Sequence, residues 1–146
     1  MYRLEDVSKE ISNLLLQSTF EKQREAIVKS CEYAITKTKI NNPLVFDILE
    51  KFKKSDNIEI EKKQELKELI DRFDDEYLTL QEAEENNECA KRSHLIPYEK
   101  ARALSAILYC FENDLCFAAN EAIYEASMVT DDNSELFLVV KKVLTS

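Results

Sequence analysis

The chain contains no glycine and only two prolines, Pro43 and Pro97, and this restricts the folds open to it. Two-residue β-hairpin turns of types I′ and II′ depend on glycine, and so do the loops that cradle phosphates. We therefore expect an all-α protein whose helices are joined by Asn, Asp and Ser turns. A P-loop and a glycine-rich dinucleotide-binding turn are excluded for the same reason.

Length and composition indicate a single helical domain over residues 1–146. The chain is 45% hydrophobic and 34% charged, which is typical of a folded protein that buries a core. No apolar run approaches the roughly 18 residues of a membrane span, and the N-terminal segment lacks the apolar region of a signal peptide. We expect a cytoplasmic protein that does not bind membranes. Its cysteines are then expected to be reduced; they are Cys31, Cys89, Cys110 and Cys116.

Apolar residues recur with a period near 3.6, which predicts six or seven helices. Ser18 or Thr19 is expected to cap the second helix, whose buried face would begin at Phe20. Asn42 and Pro43 mark the next start, because Asn is a favoured N-cap and Pro fits the first helical position. The predicted helices span roughly residues 3–16, 20–39, 43–54, 59–84, 98–111, 115–128 and 135–144.

The short connections favour antiparallel helical hairpins. These could form a bundle or a short α-solenoid, although no fixed-period repeat supports the solenoid. Residues 84–96 lose the apolar stripe, so this segment could be a loop or a polar extension of the preceding helix.

Negative charge is concentrated in the second half of the chain. Residues 1–64 hold 12 Lys/Arg against 11 Asp/Glu, whereas residues 65–146 hold 8 against 18. Between Ala103 and Val140 there are seven carboxylates and neither Lys nor Arg. Such a charge distribution repels nucleic acid and attracts a basic protein partner.

The candidate partner-binding residues are carboxylates of this stretch and two tyrosines that fall off the predicted buried stripe. The carboxylates would pair with Lys and Arg of the partner, and the tyrosines would anchor the interface. An ordinary solvated surface is the alternative for the carboxylates, and core packing is the alternative for the tyrosines. The eight residues are Glu112, Asp114, Glu121, Glu125, Asp131, Asp132, Tyr109 and Tyr124.

Few enzyme sites fit this sequence, and with His94 as the single histidine no Ser–His–Asp set can be argued. The pairs Glu65/Glu68 and Glu82/Glu85 have i, i+3 spacing and loosely resemble the magnesium-binding helices of all-α nucleoside-triphosphate pyrophosphohydrolases. That resemblance implies Mg²⁺ held by carboxylates. However, Glu85 stands where that family has Asp, and no basic residues follow closely to hold a nucleotide. We expect no enzymatic activity, no metal and no other cofactor.

Three segments of the C-terminal third carry a second resemblance: 98–106 (YEKARALSA), 119–126 (ANEAIYEA) and 130–132 (TDD). Over residues 98–140 the chain resembles small helical immunity proteins of contact-dependent growth inhibition and related polymorphic toxin systems. The resemblance implies a bacterial cytosolic protein that covers the active site, or an adjacent surface, of a basic toxin, often a nuclease. A helical adaptor or regulatory module is the second interpretation, and the magnesium-dependent hydrolase is the third.

Overall fold

A computed structural model describes residues 2–85 and 92–146, and within these ranges the chain is helical with no strand. Two short 3₁₀ helices cover Arg3–Asp6 and Arg92–His94. The prediction of an all-α fold is confirmed. The α-helices are α1 (Lys9–Gln17), α2 (Phe20–Thr38), α3 (Pro43–Lys53), α4 (Ile60–Glu85), α5 (Leu95–Tyr109), α6 (Leu115–Ser127) and α7 (Ser134–Thr145).

All seven α-helices contribute side chains to one hydrophobic core. The longest of them, α4, packs along α5, while α2 packs against α5, α6 and α7, and α3 contacts α2, α4 and α5. This is the packing of a helical bundle, one of the two architectures that the sequence predicts. Within the described ranges, every helix is too short or too polar to cross a bilayer.

The central helix is α6, which contacts α1, α2, α5 and the 3₁₀ helix Arg3–Asp6. Ala118, Ala119, Ala122 and Ala126 are fully buried, and they share one face of α6, where their small side chains let neighbouring helices approach closely. Asn120, Glu121 and Glu125 lie on other faces of α6 and are buried as well, so this helix belongs to the core. The sequence predicts an outward acidic stripe on α6, and for this helix that prediction is wrong.

Capping side chains set several helix starts. Asn42 Oδ1 accepts a hydrogen bond from Leu44 N at 2.9 Å, with Pro43 at the first helical position, as predicted. Thr19 caps α2, whereas Ser18 ends α1. The local chemistry of these side chains therefore fixes where the chain changes direction.

Two local expectations are wrong. The first helix does not run unbroken from residue 3, because Ser8 Oγ accepts from Ile11 N and starts α1 anew. The residues before Ser8 form the 3₁₀ helix that lies against α6. Phe20 is 74% exposed, since as the first residue of α2 it projects from the corner between α1 and α2.

The segment that the sequence leaves open, residues 84–96, is partly described. α4 ends at Glu85, and α5 begins at Leu95, three residues before the predicted start. Pro97 lies in the first turn of α5, where a missing amide hydrogen breaks no helical bond. Residues 86–91, including Cys89, lie outside the described residues.

Replacing the cap of α3 tests the role of Asn42. Asn42→Ala is expected to lower the free energy of unfolding by about 1 kcal/mol, because Leu44 N loses its acceptor. Urea denaturation measures this change. The neighbouring variant Asn41→Ala is the control, since Asn41 is exposed and does not cap the helix. Equal losses in both variants would contradict the capping role.

Candidate functional site

The eight residues predicted to bind a partner occupy three places in the fold. Two lie in the loop before α6 and two in the loop after it, at opposite ends of a 13-residue helix about 20 Å long. The remaining four lie beside the 3₁₀ helix Arg3–Asp6. In that order the groups are Glu112 with Asp114, Asp131 with Asp132, and Tyr109 with Glu121, Tyr124 and Glu125.

Glu121 and Glu125 are buried and hold the guanidinium of Arg3. Nε of Arg3 donates to Glu121 Oε2 at 2.9 Å, and Nη2 donates to the same Glu121 oxygen and to Glu125 Oε1, the latter at 3.1 Å. The two carboxylate side chains are 6% and 4% exposed, against 46% for Arg3. The prediction that Glu121 and Glu125 face outward is therefore wrong, and their negative charge is balanced inside the chain.

Two tyrosines complete the surroundings of this guanidinium. Cζ of Arg3 lies 4.3 Å from the ring centroid of Tyr124 and 6.0 Å from that of Tyr109. Nη2 also contacts the Tyr109 hydroxyl at 3.4 Å. A cation at these distances is attracted by the negative face of a ring. We call Tyr109, Glu121, Tyr124 and Glu125 the guanidinium box.

A second arginine, Arg102 of α5, reaches Glu125 from the other side. Its Nη1 donates to Glu125 Oε2 at 3.2 Å, and its Nη2 donates to Asp74 of α4 at 3.1 and 3.3 Å. Burial raises the pKa of Glu125, while the charges of Arg102 and Arg3 act to lower it. The ionised carboxylate is thus compensated by two cations, as a buried charge requires.

A cleft of about 430 Å³ adjoins the guanidinium box. Its walls come from α4, α5, α6 and the N-terminal 3₁₀ helix, and they carry equal numbers of basic and acidic side chains. The cleft is therefore mixed in charge rather than acidic. The charged residues lining it are Arg3, Lys67, Arg102, Asp71, Asp74 and Glu125.

Glu112 and Asp114 lie at the N-terminal end of α6, next to a group of aromatic rings. The Phe117 ring centroid is 6.1 Å from that of Tyr109 and 6.4 Å from that of Tyr2. Both carboxylates are exposed, and Asp114 Oδ1 also caps α6 by accepting from Phe117 N at 3.2 Å.

Glu5 of the N-terminal 3₁₀ helix belongs to the same region. A hydrogen bond with Cys116, burial, and the negative charges of Asp114 and Glu5 all raise the pKa of Tyr2. Burial is the largest cause of the raised pKa of Tyr109, and the negative charge of Glu112 raises that pKa as well. We call Tyr2, Glu5, Glu112, Asp114 and Phe117 the acidic aromatic patch.

Two of the three carboxylates beyond the other end of α6 have partners within the chain. Asp132 Oδ1 accepts from Ser134 N at 2.9 Å, and hydrogen bonds from the Ser134 side chain and from its amide lower the pKa of Asp132. Lys37 of α2 pairs with Glu135 at 2.9 Å, and Asp131 is exposed. Residues 103–140 contain no Lys or Arg. The cations that pair with carboxylates of this stretch come from elsewhere in the chain and include Arg3, Lys37 and Arg102.

The carboxylates of α4 were the candidate magnesium ligands. Glu65, Glu68, Glu82 and Glu85 are exposed on that helix. Within residues 2–85 and 92–146, no three His, Cys, Asp or Glu side chains converge as ligands of one ion would.

Reasoning from the sequence missed Arg3 and Arg102, whose carboxylate partners are 118 and 23 residues away. Spacing along the chain does not indicate such pairs. One signal was present, since seven of the ten residues from 118 to 127 are small or apolar and two of the others are glutamates. Glutamates in such a segment are expected to be buried with it, and a buried glutamate needs a cation beside it. Comparisons of this chain with protein-family models, with curated proteins and with solved structures found no match.

Proposed function

We propose that this chain is an immunity protein that binds a cognate cationic toxin, with nuclease as the expected activity, and blocks it through the acidic aromatic patch. One observation carries the proposal: the exposed carboxylates of Glu112 and Asp114 lie beside the partly buried rings of Tyr2, Tyr109 and Phe117. Carboxylates next to aromatic anchors are what a basic protein surface recognises.

In this proposal the carboxylates occupy positions that substrate phosphates would take on the toxin. Lys and Arg side chains that hold a phosphate backbone also pair with carboxylates. The rings of Tyr109 and Phe117 would supply the desolvated centre of the interface, where aromatic residues contribute most of the binding energy. The net charge of −9 would speed the encounter with a cationic partner at low salt.

The fold narrows the set of contact residues that this proposal needs. Glu112, Asp114 and Tyr109 remain, with Tyr2, Glu5 and Phe117 added by their position. Asp131 and Asp132 lie about 20 Å away along α6 and would belong to a separate surface. Tyr109 also contacts Arg3, but its ring packs beside Phe117 of the patch. The other three predicted residues contact Arg3, and this proposal does not include them as partner contacts; they are Glu121, Tyr124 and Glu125.

The proposal expects a cationic toxin domain to be encoded beside the gene of this chain, and the test is protection of bacterial growth when the two are co-expressed. The wild-type chain is expected to restore growth. Glu112→Lys combined with Asp114→Asn is expected to lose protection through a fall in affinity of about 100-fold, roughly 3 kcal/mol. Asn is used at position 114 because it keeps the N-cap of α6 while removing the charge.

Glu65→Lys combined with Glu68→Gln is the matched control. It makes the same change in charge on exposed residues of α4, away from the patch, and should still protect. Equal losses in the two double variants would show that only total charge matters and would remove the patch from the proposal. A wild-type chain that fails to protect refutes the immunity function, and one that binds the domain without protecting favours the adaptor interpretation.

A further inference from the structure

We propose that the guanidinium box is a binding site for arginine-type cations, which this chain fills with its own Arg3. The inference goes beyond the proposed function, because it needs neither a toxin nor the acidic aromatic patch. It rests on the combination of two carboxylates and two aromatic rings around one guanidinium.

The contacts select a guanidinium over an ammonium group. Two different nitrogens of Arg3, Nε and Nη2, donate to the carboxylates, so the planar fork is used rather than a single charged point. Cζ of Arg3 also lies over the Tyr124 ring, 4.3 Å from its centroid. Hydrogen bonding through two nitrogens of one planar group is a property of arginine that lysine does not reproduce.

The box does not depend on the N-terminal segment for its construction. Glu121, Tyr124 and Glu125 lie at i, i+3 and i+4 on α6, so they share one face of the central helix. Tyr109 is the last residue of α5. All four side chains therefore remain in place on packed helices if Arg3 leaves.

The segment that carries Arg3 is short and partly open to solvent, so a ligand can reach the box once the Arg3 side chain is removed. The 3₁₀ helix Arg3–Asp6 is anchored in the core by Leu4, which is fully buried, and by Arg3 in the box. The Arg3 side chain is 46% exposed. The adjoining cleft of about 430 Å³ offers room for an incoming guanidinium ligand, either a small molecule or an arginine of another chain.

Chemical rescue of an Arg3→Gln variant tests the inference. N-acetyl-arginine amide at tens of millimolar is expected to raise the thermal midpoint of the variant by about 2–4 °C, as a ligand specific for the folded state does. The wild-type chain should show no such rise, because Arg3 already fills the box. N-acetyl-lysine amide should leave both proteins unchanged.

A peptide with the sequence of residues 2–7 separates the two sources of guanidinium. If both the amide and the peptide raise the thermal midpoint of Arg3→Gln, the box accepts guanidinium groups that are free as well as those carried by a chain. A rise of the thermal midpoint with the peptide alone means that the box takes arginine only from a chain, with the peptide displacing the segment of the variant that contains Gln at position 3.

Tyr124→Leu in the Arg3→Gln background is the matched control, since leucine fills space without offering a ring face, and it should abolish the rise. The inference is overturned if neither ligand raises the thermal midpoint of Arg3→Gln. It is also overturned if the lysine compound raises that midpoint equally, or if the arginine ligand raises the midpoint equally in the wild-type chain or in the Tyr124→Leu background. If Arg3→Gln gives no thermal transition, the amide is added during refolding and the folded fraction is measured by circular dichroism; no gain in that fraction also overturns the inference. The growth test of the proposed function uses chains that keep Arg3. A negative rescue result therefore leaves the proposed function untouched, and a loss of protection leaves this inference untouched.

Discussion

Arg3→Ala is expected to lower the free energy of unfolding by about 3 kcal/mol at pH 7. The variant leaves Glu121 and Glu125 one helical turn apart in the core without the cation that they share. Breaking a buried ion pair costs about 3–5 kcal/mol. We expect the low end of this range because Arg3 itself is nearly half exposed and Arg102 still contacts Glu125. Urea denaturation at constant ionic strength measures the loss.

The pH dependence of this loss identifies its cause. Burial already raises the pKa of Glu125, and Arg3 acts to lower it, so removing Arg3 raises that pKa further. A carboxyl with a raised pKa in the folded state stabilises the fold below its unfolded pKa of about 4.3, and this contribution is lost as the pH rises through the folded value. The difference between Arg3→Ala and the wild-type chain should therefore be largest at pH 7 and shrink towards pH 4.

Lys141→Ala is the control for Arg3→Ala, because Lys141 pairs with Glu10 at the surface, where the two side chains are 40% and 65% exposed. An exposed pair contributes about 0–1 kcal/mol. A loss in Arg3→Ala no greater than in Lys141→Ala, or a loss that does not change with pH, would contradict the role assigned to Arg3.

Ile123→Ala is expected to destabilise the chain by about 2–5 kcal/mol. Ile123 is fully buried on α6, the helix that α1, α2 and α5 all contact. Truncation removes buried methyl and methylene groups and leaves a cavity that packed neighbours on several sides cannot close. The midpoint of urea denaturation should fall with little change in its slope.

Ile60→Ala makes the same chemical change where the side chain is 83% exposed. It should alter the stability by less than about 0.5 kcal/mol. A small effect of Ile123→Ala, comparable to that of Ile60→Ala, would mean that α6 is not the centre of the packing.

Local features of this fold could be predicted from the sequence because their causes lie within a few residues. Asn42 and Pro43 determine the start of α3 through a side-chain acceptor and a fixed backbone angle. The 3.6-residue period predicted the remaining helices except the first. There the apolar spacing continues across Ser8, so the cap that starts α1 was not predicted.

The direction that a side chain faces was harder to predict when it depended on distant residues. Glutamate is an exposed residue type unless it is paired, and the partner of Glu121 lies 118 residues earlier in the chain. Phe20 shows the opposite error. This apolar residue was expected to be buried, but it lies at a helix corner and is exposed. Four of the predicted partner-binding residues do meet around a cation, but the cation belongs to the same chain.

The wide sequence separation between Arg3 and its carboxylates also sets an order of events during synthesis. Ribosomes add about 5–20 residues per second, so the 118 residues between Arg3 and Glu121 take roughly 6–24 s to make. Throughout that interval the N-terminal segment has no acceptor for its guanidinium, and Leu4 has no central helix to cover. The segment around Arg3 and Leu4 is consequently among the last parts of this fold to reach its native position, and it is open to chaperones and proteases until α6 emerges.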